Sequence, residues 1–208
     1  MTTDFSFFES SLKTKRTYRT PYTANVEMLM DHDEQGVIEM VSESVEEMVF
    51  RATHLLKPGF ADGIRSVERK FEVTLPQDMH DFYRRWGSGY LVFLREYRLM
   101  PPSEIIEEVI SFRTIRKERA DMPKRMFRFC ELEDSNFFAV RQNWSNGDWE
   151  VIYADIGDTD QELQGEYGDS CVTDASFTAW LKRMVDTDGW PICPGDSGSE
   201  TPIFERVD

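Results

Sequence analysis

Three runs near the middle of the chain constrain its fold most: MFRFCEL (126–132), NFFAVRQ (136–142) and DWEVIYAD (148–155). Each reads as a strand, and only short polar turns separate them. A parallel crossover takes on the order of a dozen residues or more, so consecutive strands this close must pair antiparallel. The last turn, NWSNGD, contains Asn146-Gly147, a hairpin signal because both residues tolerate positive φ.

The remaining segments read mostly as helices. SVEEMVFRATHLLKPG (44–59) has capping-box spacing at Ser44 and Glu47. Its residues Val45, Met48, Val49, Ala52, Leu55 and Leu56 fall on one helical face, and Pro58-Gly59 would stop it. A second helix is expected with Phe60, Ile64, Val67 and Phe71 on one stripe. A third starts near Thr74, Pro76 and Gln77, turns Met79, Phe82, Tyr83 and Trp86 toward a core, and stops at Gly87 and Gly89. YLVFLREYRL (90–99) reads as one strand, and PPSEIIEEVISFRTIRKER (101–119) as a helix capped by Ser103. A last helix, capped by Asp174, carries Phe177, Trp180, Leu181, Met184 and Val185. Helices followed by consecutive hairpin strands imply an α+β chain with a largely antiparallel sheet. The expected organisation is an N-terminal extension (1–40), one α+β domain (41–190) and a polar C-terminal tail (191–208).

Charge narrows the partners. The net charge is -15, which argues against bare nucleic acid and for a cationic partner. Residues 131–208 alone hold 18 acidic and 4 basic side chains. Cys130, Cys171 and Cys193 form no CxxC pair, so a zinc site or redox dithiol has no support and a reducing compartment fits. The N-terminus shows no signal-peptide pattern, and no run approaches a membrane span. A cytoplasmic location and no membrane partner are the expectation.

The candidates for chemistry are thin. CPGDSGSE (193–200) resembles a serine-protease nucleophile turn around Ser197, but it follows the last helix in a chain without two barrels. DHDE (31–34) lacks the spaced oxygen ligands of a calcium loop. His80 and Asp81 are adjacent on the third helix and are expected to face solvent. Catalytic, cofactor and metal residues are therefore expected to be absent, and the chain is not read as an enzyme.

IRSVERKFEVTLPQDMHDFYRRWGSGYL (64–91) resembles the SUKH superfamily, the Smi/Knr-type domain. Ile64, Val67 and Glu68 match its early helix. Leu75, Pro76 and Asp78 match its Leu-Pro step, and Phe82 and Tyr83 match its aromatic helix. YRLMPPSEI, NFFAVRQ, DWEVIYADIGD and SFTAWLKRM follow in the order the family shows, so the similarity runs from about 44 to 186. One departure is Gly87-Ser88-Gly89, where the family often has Asn-Gly.

The resemblance implies helices around a curved antiparallel sheet and a binding module without catalytic residues. Many bacterial members are immunity proteins that bind and block a cognate toxin; fungal members are regulatory. The function expected is an immunity protein that occludes a polymorphic antibacterial toxin with a basic active-site cleft. The alternative is a regulatory or scaffold module with no toxin partner. The expected contact face is acidic: Asp148, Glu150, Asp155, Asp158, Asp160, Glu162, Glu166 and Asp169, with Trp144 and Trp149 as anchors.

Overall fold

The structure, a computed structural model, describes residues 3–21, 38–43, 47–58, 63–93, 96–115, 126–132, 136–143, 145–154, 171–189 and 205–206. In chain order the described elements begin with α1 (Ser6–Lys13), β1 (Arg16–Pro21), β2 (Ile38–Glu43), β3 (Glu47–Ala52) and β4 (Leu55–Lys57). Then come α2 (Gly63–Phe71), α3 (Gln77–Arg85), β5 (Ser88–Val92), β6 (Glu96–Leu99) and α4 (Pro102–Ile115). The rest are β7 (Met126–Glu131), β8 (Phe137–Gln142), β9 (Trp149–Ala154), β10 (Cys171–Asp174), α5 (Phe177–Asp186) and β11 (Glu205–Arg206).

Strands β4 to β10 form one open sheet in the order β10-β9-β8-β7-β6-β5-β4, each antiparallel to its neighbours. The chain therefore builds the curved sheet strand by strand, detouring through helices between β4 and β5 and between β6 and β7. Alternation sorts the side chains. Phe127, Phe129, Phe138, Val140 and Val151 face the helices and share a core with Ile64, Val67, Met79, Phe82, Ile105, Phe177 and Trp180. Phe137, Ala139, Ile152 and Ala154 form a second buried cluster. The α+β class and the antiparallel sheet are as the strand runs predict.

Gly89, in β5, sits where only glycine fits. Its φ is +138°, and a Cβ there would lie 2.2 Å from the Leu55 carbonyl oxygen on the paired strand β4. Gly87, at φ +77°, closes α3 as its N–H donates to the Tyr83 carbonyl. The α3 face is as expected: Met79, Phe82 and Tyr83 are buried, and Trp86 packs against the core.

Several local expectations are corrected. The segment read as a helix over 44–59 forms β3 and β4 where it is described. Its apolar residues satisfy both periodicities, and pairing of β3 with β1 on one edge and β2 on the other decides for strand. A second sheet, β11-β1-β3-β2, results. YLVFLREYRL is two strands of a hairpin, β5 and β6. Of Asn146-Gly147 only Gly147 takes positive φ, because the loop spans six residues between the paired Gln142 and Trp149.

The caps also differ. Pro76 precedes α3 without a side-chain cap, and Pro102 opens α4, which puts Ser103 inside the first turn. Ser176 caps α5 by accepting from the Ala179 N–H, and Asp78 of α3 accepts from the Thr178 N–H at 2.8 Å. Asp174 instead pairs with Arg183.

Candidate partner-binding surface

The meander gives the large sheet two unlike ends. The helices enter and leave at one end, where the β8–β9 hairpin also turns. The connections β5–β6, β7–β8 and β9–β10 lie at the other end.

Of the expected contact residues, Asp148 is exposed in the hairpin. Glu150 is held internally: Arg141 donates to its Oε1 from Nη2 at 2.5 Å and Nε at 3.0 Å, and Asn143 donates to Oε2 at 3.0 Å. Trp149 packs against the helix-side core, its ring 6.1 Å from that of Phe127. Trp144, Asp155, Asp158, Asp160, Glu162, Glu166 and Asp169 lie outside the described residues, as do Ser197 and the DHDE stretch. The segment 155–170 is joined to Ala154 and Cys171, both at the loop end. β9 separates that attachment from Asp148 by about 20 Å. The hairpin carboxylates and the attachment of the acidic loop are thus at opposite ends of one strand.

Charge is distributed just as unevenly. The described residues carry 18 basic and 20 acidic side chains, so 13 of the 15 net negative charges belong to the other segments. Many described charges are spent on each other. On the sheet face away from the main core, Arg98 pairs with Glu131 and with Glu104 at 2.7 Å, and Arg128 pairs with Glu131 at 2.9 Å and Glu108 at 3.5 Å. Segment 155–170 alone holds six carboxylates and no basic residue.

The two described histidines, His54 and His80, are structural. His80, expected to face solvent, lies 2.8 Å from Glu68 Oε1, which also accepts from the Leu75 N–H at 2.8 Å. This ties α2 to the Leu75-Pro76 step that starts α3. Asp81 is also not solvated: it is buried and accepts from the Thr3 N–H, the Thr3 hydroxyl, Gln77 and Arg84. Burial raises its pKa, and those four donors outweigh it and hold the carboxyl below the usual range.

His54 sits beside Ser11, whose Oγ is 3.1 Å from Nε2, a spacing that suits a serine–histidine pair. The surroundings argue against that chemistry. The Val92 N–H donates to Nδ1 at 2.9 Å, so no carboxylate orients the ring. Burial, then the charge of Arg16, pull the His54 pKa down to about 3, too low for a general base at neutral pH. Ser11 is itself buried. No group of three or more metal-ligand side chains occurs among the described residues. Cys130 is free and buried, and its thiol pKa is pushed well up by burial and Glu131.

Arg16 is the feature that pattern reading overlooks. Its side chain is buried, with Nε 2.8 Å from Asp188, Nη2 donating to Ser11 at 2.7 Å, Nη1 2.8 Å from His54 and the guanidinium 5.0 Å from the Phe93 ring centre. Tyr18 donates to the same Asp188 carboxylate, which is held at φ +51° just beyond α5. Phe5 and Phe8 pack on Phe82 and Trp86. Residues near both ends of the chain are thereby keyed into the central fold. In the sequence Arg16 stands in a basic cluster with Lys13, Lys15 and Arg19 that reads as solvated, and nothing there marks it as the buried member.

No described helix is long and apolar enough to cross a membrane. A family model, the SMI1 / KNR4 family (SUKH-1), matches residues 61–183, more than half of the chain. No curated protein matches it.

Proposed function

The chain belongs to the SMI1 / KNR4 family (SUKH-1), and from that premise we propose that it is an immunity protein that binds and occludes a cognate toxin. Family membership fits a toxin-immunity role, and the reading requires no catalytic step. The observation that carries the electrostatic part is the contrast between a nearly neutral described frame and a segment, 155–170, whose sequence holds six carboxylates and no basic residue. A toxin that handles nucleic acid needs a basic cleft. An acidic segment joined at both ends to strands of the sheet offers that cleft a substitute for phosphate and speeds encounter. Asp155, Asp158, Asp160, Glu162, Glu166 and Asp169 are assigned to this contact. Asp148 and Glu150 belong to a second patch at the far end of β9, where Arg141 already neutralises Glu150.

The test is kinetic. Asp158, Asp160, Glu162 and Glu166 are changed together to Lys, and association with the product of the neighbouring gene, tested as the toxin, is timed at several salt concentrations. A slower on-rate and a flatter salt dependence are expected. An on-rate equal to the wild type would sink the electrostatic reading.

A further inference from the structure

The described sheets end in four edge strands, and they are not equally protected. Charged side chains, proline and short length normally keep a free edge from pairing with another chain. β4 has three residues, ends in Lys57 and runs into Pro58. β2 carries two charged residues, Glu39 and Glu43, and a bulge in its pairing with β3. β11 consists of Glu205 and Arg206. β10 differs: Cys171, Val172 and Thr173 are uncharged, and its one acid, Asp174, is engaged by Arg183. The bulge in its pairing faces β9 and leaves the opposite edge unpaired among the described residues. Val172, at 51%, is the most exposed large hydrophobic among them.

We propose that the free edge of β10 is the line on which the protein partner docks, by adding an extended basic segment of its own as an eighth strand. The inference rests on the toxin-binding reading and specifies how the toxin is held. Backbone hydrogen bonds along β10 provide the register, and Val172 provides an apolar contact. Charge selects the occupant. The segment leading into β10 carries six carboxylates and no base, and the whole chain carries -15. A second copy would bring the same charge to the contact and be repelled, whereas a cationic strand is attracted.

The experiment uses this protein and the purified product of the neighbouring gene, tested as the toxin. Amide hydrogen exchange is followed over 171–174, and affinity is measured for wild type, Val172→Arg and Val172→Glu. Slowed exchange in the complex is expected, with about a tenfold or larger loss of affinity in both variants and an unchanged thermal midpoint. Weakening by Glu as well as Arg separates edge pairing from simple charge repulsion. A complex that forms with unaltered exchange and affinity overturns the edge assignment and leaves the toxin-binding reading standing. Failure of the two proteins to associate overturns that reading, and the edge assignment with it. Self-association of the free wild-type protein that Val172→Arg abolishes also overturns the assignment, by making a second copy the occupant.

Discussion

Replacing His54 by Asn tests the buried hub through its protons. The unfolded ring binds a proton below about pH 6.5, while the folded ring stays neutral until about pH 3. The unfolded state therefore holds more protons between those values, and stability falls as the pH drops through that window. At pH 5.0 the linkage amounts to about 2 kcal/mol lost relative to pH 7.5 from this one residue. Asn cannot titrate, but its carbonyl can still accept from the Val92 N–H. The variant is destabilised at neutral pH because the imidazole no longer packs on Phe8 and Phe93. Carboxylates such as Asp81 weaken both proteins in acid and cancel in the comparison. Urea unfolding at pH 7.5 and 5.0 should show the gap between wild type and His54→Asn closing by about 2 kcal/mol. A gap that stays constant would refute the picture of a ring kept neutral by burial beside Arg16.

Three further outcomes follow from the packing. Gly89→Ala should cost about 3 kcal/mol or more, read by urea unfolding, because the new Cβ meets the Leu55 carbonyl at a φ that alanine avoids. Arg16→Ala should cost about 3–5 kcal/mol by removing the buried guanidinium that joins Asp188, Ser11 and His54. Arg16→Met combined with Asp188→Asn should recover part of that loss, measured by the same assay. Trp149→Ala should lower stability by about 2 kcal/mol while Asp148→Lys changes it by less than about 0.5 kcal/mol, which separates a core residue from a surface one.

The central fold is legible because its signals are local. Met79, Phe82 and Tyr83 repeat at helical spacing between a Pro and a Gly, and Phe127, Phe129, Phe138 and Val140 alternate along short runs. The order of these pieces also identifies the family. What is not legible depends on distant pairing. The run 47–57 carries apolar residues on both periods, and only β1 and β2 make it a strand. Nothing around Arg16 in the sequence announces that Asp188 lies against it. His80 and Asp81 look solvated on a helical wheel because the wheel omits Glu68 and Thr3, which reach them from other segments. Of the expected contact face, the sequence supplies the charge, while strand direction separates Asp148 from the start of the acidic loop.

The most direct measurement of the toxin-binding claim is growth of cells expressing the product of the neighbouring gene, with and without this protein. The account predicts restored growth and a stable complex recovered from the rescued cells, with rescue weakened when the 155–170 carboxylates are reversed. Growth arrest that persists at high levels of folded protein would contradict it.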